Sequence, residues 1–124
     1  MPPAALILVV DHEPRMRAAL TTVLTLDGYR VVEAACGAEA LAVCDQCRAL
    51  GEPIDLIVLD MMLADMTGIG LLDRLQQRRV GTQIVAVSAS AAALEAALQA
   101  GAAAVLRKPF ALPRLLAIVA RYCA

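Results

Sequence analysis

Several short apolar runs in this 124-residue chain end in groups that could do chemistry. Asp11-His12 follows Leu6 to Val10, Asp60 closes Ile54 to Leu59, Ser88 follows the run ending at Val87, and Lys108-Pro109 follows Ala104 to Arg107. An acid, an acid beside an imidazole, a hydroxyl and an ammonium at four strand ends suggest one shared site. They are what a phosphate-accepting carboxylate needs around it: a second acid to share a cation, and donors for the phosphoryl oxygens. Each residue alone has a plainer use, the acids and Ser88 as turn or helix caps and Lys108 as a solvated charge, so the weight rests on their coincidence. His12 is the discordant member, because a hard cation prefers oxygen ligands.

The elements that must position these groups follow from periodicity. Short apolar runs alternate with segments of 3.6-residue period along the whole chain, which is the pattern of a parallel sheet with crossover helices. Strands are predicted at about Leu6 to Val10, Tyr29 to Glu33, Leu56 to Asp60, Gln83 to Val87 and Ala104 to Arg107. Helices are predicted from Pro14 until Gly28 stops the first, then at about Ala38 to Leu50, Ile69 to Arg79, Ala91 to Ala100 and Leu112 to Tyr122. The fold class is therefore α/β, a doubly wound five-stranded parallel sheet. With strand order 2-1-3-4-5, Asp11 and Asp60 stand on neighbouring strands, roughly 5 Å apart. In such sheets ligands bind beyond the carboxyl ends of the strands, where all four groups lie.

Composition narrows the classes. Residues 1–124 read as a single domain, and 60% apolar residues suffice for one core. With one Phe, two Tyr and no Trp, that core must be built from aliphatic residues and alanine. Eleven basic against twelve acidic residues give no electrostatic reason for direct nucleic acid binding. The first apolar run lacks a basic leader and meets Asp11 at once, and no run is long enough to span a bilayer, so a cytoplasmic protein without membrane association is expected. Cys44 and Cys47 form the lone CxxC pair, which falls short of the four ligands of a structural zinc site. Their helical spacing with Ala40 and Leu41 predicts small core residues.

Val9-Val10-Asp11, Asp60 with Gly68 eight residues on, Val87-Ser88-Ala89 and Lys108-Pro109-Phe110 together resemble the response-regulator receiver domain of two-component signalling. The resemblance runs from about Leu6 to Tyr122. It implies a flavodoxin-like (βα)5 fold; with no linker or second domain visible, no effector domain is expected in this chain. It further implies that Asp60 accepts a phosphoryl group from a histidine kinase, a phosphotransfer protein or a small phosphodonor, forming an acyl phosphate. Mg²⁺, Mn²⁺ or another divalent ion would be held by Asp11, Asp60 and the backbone carbonyl of Met62, while Lys108 and Ser88 contact the phosphate. Ser88 would act as the switch hydroxyl, and the Lys108-Pro109 bond would be cis. Such a domain is a signalling switch for an effector domain or downstream protein, with no enzymatic activity beyond its own phosphotransfer and dephosphorylation.

The departures from that family are specific. His12 stands where receivers carry a second metal-binding acid, and either His12 or the adjacent Glu13 is left to take that place. Ala64 replaces a usual Pro and Thr67 a frequent Asp in the loop after Asp60. Val105 occupies the position of an aromatic residue that turns inward on activation. The segment from Ala89 to Tyr122 carries only Glu95, Arg107, Lys108, Arg114 and Arg121 as charges, which suggests a partner or homodimer face formed by helix four, strand five and helix five. An alternative follows from His12: a pseudo-receiver that binds partners without being phosphorylated. A dehalogenase-like phosphatase would need an acid at Met62, and a flavodoxin-like electron carrier would need a Ser/Thr/Gly-rich first loop in place of Asp11-His12-Glu13-Pro14.

Overall fold

The computed structural model of the protein describes residues 4–78 and 81–123. Five strands, β1 (Leu6–Val10), β2 (Arg30–Ala34), β3 (Leu56–Asp60), β4 (Gln83–Ser88) and β5 (Ala104–Arg107), alternate with five helices, α1 (Pro14–Leu26), α2 (Gly37–Ala49), α3 (Gly68–Gln77), α4 (Ala91–Gln99) and α5 (Leu112–Tyr122). All strand pairings are parallel and the order is β2-β1-β3-β4-β5, the topology expected from the sequence.

Strand side chains alternate between the two faces, and each face has its own apolar layer. Leu6, Leu8 and Val10 of β1, with Ile57 and Leu59 of β3, pack with α2, α3 and α4 through Ala40, Cys44, Leu71, Leu75, Leu94 and Ala97. Ile7, Val9, Leu56 and Val58 face the other way and meet Leu20 and Leu24 of α1 and Leu115 and Val119 of α5. Both Cys44 and Cys47 are buried, as their spacing predicts, and burial pushes the Cys44 thiol up to about 11. That thiol is a packing group, since its reactive thiolate is disfavoured. Among the described residues no helix is long and apolar enough to cross a membrane.

Boundaries depart from the sequence reading where local hydrogen bonds compete with the ladder. β2 begins at Arg30 and ends at Ala34, one residue later than predicted, because the Tyr29 N–H donates to Leu24 O and closes the end of α1 around Gly28. The left-handed φ of +97° at Gly28 permits that closure. α2 and α3 each start one residue early, at glycines, and α3 ends at Gln77 with Arg78 as its cap. The predicted end at Arg79 lies outside the described residues.

Candidate functional site

The register of β1 with β3 pairs Val10 with Leu59, so Asp11 and Asp60 leave the sheet side by side. Both are 2% exposed, an unusual state for two acids of like charge. Their charge is offset by one ammonium: Lys108 Nζ lies 3.3 Å from Asp60 Oδ2 and 3.6 Å from Asp11 Oδ2. The position of Lys108 is fixed by its own backbone, whose N–H donates to Ser88 O, and by a cis Lys108-Pro109 peptide, as the resemblance implies.

Backbone donors hold the carboxylates. Met62 N–H donates to Asp60 Oδ1 at 2.9 Å, and Glu13 N–H donates to Asp11 Oδ1 at 2.8 Å. Burial raises the Asp11 pKa; the Glu13 N–H opposes that shift, the nearby Asp60 adds to it, and Lys108 and His12 counter it. The guanidinium of Arg17, one turn into α1, donates to Asp11 O at 2.7 Å and pairs with Glu33 of β2 at 3.3 Å, bracing the β1 end from outside.

His12 turns toward the site. Its Nδ1 lies 3.3 Å from Asp60 Oδ2, although its side chain is 49% exposed. Asp11, His12 and Asp60 each offer a ligand atom within 4.8 Å of the others, the one group of three or more such residues among those described. Glu13 is not a member. It is exposed and serves as the N-cap residue of α1, contributing its N–H to Asp11. Of the two residues left open by the sequence, His12 falls in this group and Glu13 does not, because consecutive residues at a strand end diverge.

The donor set fits a divalent cation. Ligand atoms around an ion with bonds of roughly 2.1 Å sit about 3 Å apart when adjacent and about 4.2 Å apart when opposite, so the observed spacings require only a modest contraction. Two buried carboxylates sharing one ammonium also have reason to accept more positive charge.

Ser88 is likewise buried at the carboxyl end of β4, one residue beyond the Val87 that pairs with Asp60. Its Oγ accepts from Ser90 N–H at 3.0 Å, leaving its hydroxyl hydrogen free to donate. Val105 is half-buried against the core layer that contains Ala86 and Leu94. Met62, whose carbonyl is the expected third ligand, is 68% exposed.

The loop between β3 and α3 is held at both ends. Gly68 is buried, and a Cβ there would lie 2.7 Å from both Cα and O of Met61. Thr67 caps α3 by accepting from Gly70 N–H. Asp65, which no sequence motif marks, accepts from Gly37 N–H and Ala38 N–H, both at 2.9 Å. It thereby caps α2, and those two donors hold its carboxyl below the usual carboxylate range.

Comparison with known proteins agrees with this geometry. Residues 7–120 match the response regulator receiver domain family. The chain is 39% identical over 113 residues to the transcriptional regulatory protein TcrA of Mycobacterium tuberculosis, covering 90% of this chain and 43% of that protein. It is 39% identical over 114 residues to the transcriptional regulatory protein KdpE of the same species, covering 90% and 48%. The chain thus spans less than half the length of these curated relatives. Among solved structures, a CheY-like receiver domain protein from Methanospirillum hungatei superposes with a TM-score of 0.85 at 29% identity, covering 95% of this chain and 92% of that one. The chemotaxis protein CheY4 of Vibrio cholerae gives 0.85 at 28% identity, covering 96% and 98%.

Proposed function

The chain belongs to the response regulator receiver domain family, and from that premise we propose that it is a phosphoacceptor switch in which Asp60 receives the phosphoryl group. The observation that carries this reading is the convergence of Asp11, Asp60 and Lys108 at adjoining strand ends, with both acids buried and one ammonium within 3.6 Å of each. A carboxylate oxygen of Asp60 attacks the phosphorus of the donor, the bond from phosphorus to the donor's leaving atom breaks, and an acyl phosphate results. Lys108 is placed to follow the negative charge from the carboxylate onto the new phosphoryl oxygens. A divalent cation held by Asp11, Asp60 and the Met62 carbonyl would neutralise those oxygens; Mg²⁺ is the ion typical of the family, and Mn²⁺ suits the same ligands.

Ser88 supplies the switch. Its free hydroxyl hydrogen can turn to a phosphoryl oxygen, drawing with it the β4–α4 turn that its Oγ fixes through Ser90 N–H. With Val105 in place of an aromatic residue, the change passes to partners by movement of that turn and of α4. Leu98 of α4 and Leu112 of α5 are exposed on the segment proposed as the partner or homodimer face. Response regulators work with histidine kinases and effector domains, and a histidine kinase or phosphotransfer protein is the proposed donor. The same convergence favours this reading over a phosphorylation-independent module, which has no use for two buried acids and a shared ammonium.

The test is direct labelling of the full chain with acetyl phosphate and a divalent ion, read by intact mass. A phosphoryl adduct that is labile to hydroxylamine and missing in Asp60→Asn is expected. No adduct with any divalent ion, or an adduct that persists in Asp60→Asn, would refute the assignment.

A further inference from the structure

We infer that His12 is the specificity-determining ligand of this cation site, and that through Nδ1 it makes the site select a nitrogen-seeking first-row transition dication over Mg²⁺. The inference rests on the reading of Asp11 and Asp60 as ion ligands and deepens it. His12 is the third member of the group whose ligand atoms lie within 4.8 Å of one another, and its Nδ1 stands 3.3 Å from Asp60 Oδ2, close to the spacing of adjacent ligands on one ion. The other candidate for that place, Glu13, lies outside the group.

The chemistry of this donor set is mixed. Mg²⁺ binds through charge and near-octahedral oxygen, keeps most of its water and gains little from imidazole. Exchanging an anionic oxygen for a neutral nitrogen therefore weakens the hold on Mg²⁺, the more so with the Lys108 ammonium 3.3 Å from Asp60. Ions later in the Irving–Williams order gain from the nitrogen what they lose in charge, so the gap between them and Mg²⁺ widens. Imidazole suits such ions, whereas Mg²⁺ is held by oxygen ligands and retained water.

The experiment is calorimetric titration of the full chain with Mg²⁺, Mn²⁺ and Ni²⁺, each separately and without phosphodonor, for the wild type, His12→Asp, His12→Ala and Asp11→Asn. The half-exposed His12 side chain can be changed without disturbing the core. Ni²⁺ binding is expected to weaken about tenfold or more in His12→Ala, while Mg²⁺ binding strengthens in His12→Asp, so that the ratio of Ni²⁺ to Mg²⁺ affinity falls by at least about tenfold, the scale on which single ligand-set changes act. Asp11→Asn should weaken all three ions. Ni²⁺ affinity unchanged in His12→Ala, Ni²⁺ binding intact in Asp11→Asn, or an equal ratio in wild type and His12→Asp would each overturn the inference. A Co²⁺ spectrum with thiolate charge-transfer bands would do the same, since it would put the ion on one of the free cysteines. Because these readouts contain no phosphodonor, failure of Asp60 labelling counts against the phosphoacceptor reading alone.

Discussion

Replacing Gly68 by alanine tests whether the loop behind Asp60 is held by close backbone packing. The new Cβ would stand 2.7 Å from Met61 Cα and 2.7 Å from Met61 O, and both are backbone atoms that no rotamer change can move. Carbon atoms rest about 3.5 to 4.0 Å apart, so helix α3 and the Met61 backbone must separate by roughly 0.8 Å or more. Overpacking of this kind costs about 1 to 3 kcal/mol, partly offset by the roughly 0.5 to 1 kcal/mol that alanine gains over glycine in a helix. At about 4 °C per kcal/mol for a domain of this length, the melting temperature should fall by several degrees. Gly70 gives a milder comparison, because a Cβ there would meet only the Thr67 hydroxyl, at 2.9 Å, a side-chain atom that can turn aside at the expense of its cap on α3. Gly70→Ala, which disturbs at most that cap and no backbone, should therefore melt above Gly68→Ala. The displaced Met61 also carries the Met62 N–H away from Asp60 Oδ1, so acetyl phosphate should label Gly68→Ala more slowly than Gly70→Ala. Thermal denaturation followed by circular dichroism, with labelling followed by intact mass, reads both effects. If Gly68→Ala melts with the wild type and is labelled at the same rate, the argument from close packing is wrong.

Two predictions concern acid pH and have opposite signs. The Asp11 pKa is raised by burial, so the native state binds its proton more tightly than the unfolded chain does, and the ion-free protein should lose stability as pH rises from the ordinary value of 3.8 through the raised one. Urea denaturation in chelator across that range, wild type minus Asp11→Asn, should show the loss in the wild type; a flat difference would contradict it. The Asp65 pKa is lowered by the Ala38 and Gly37 N–H groups, so its stabilisation is present above 3.8 and is lost as pH falls through the lowered value. Asp65→Asn should be less stable than the wild type at neutral pH, with the gap narrowing in acid, and a gap independent of pH would remove the carboxylate's charge from the account.

Much of this could be read from the chain because the reactive groups sit at the ends of continuous apolar runs. β1, β3 and β5 fall where their apolar residues do, and Asp11, Asp60 and Lys108 follow from strand order alone. The apolar pattern puts β2 one residue early because it is blind to the Tyr29 N–H, which goes to Leu24 O and not to a strand. The substitution at His12 was visible, but the direction of its ring was not, since His12 and Glu13 are chemically plausible in turn and only the backbone angle at the strand end separates them. Asp65 was invisible for a different reason. Its donors are 27 and 28 residues away, and a cap formed across that distance leaves no local spacing to read.

That same cap has a consequence for how such domains can be recombined. The loop after β3 looks like a self-contained cassette around Asp60, yet one of its residues completes the start of a helix elsewhere in the chain. A β3–α3 loop transplanted from another receiver without an acid at position 65 would leave the Gly37 and Ala38 N–H groups without their acceptor, and Met66, which fills the space above Gly37, would be exchanged with it. The natural unit of exchange is therefore the loop together with the first turn of α2, and a chimera cut at the apparent loop boundaries should lose order first at the start of α2, which packs on the same face of the sheet as α3.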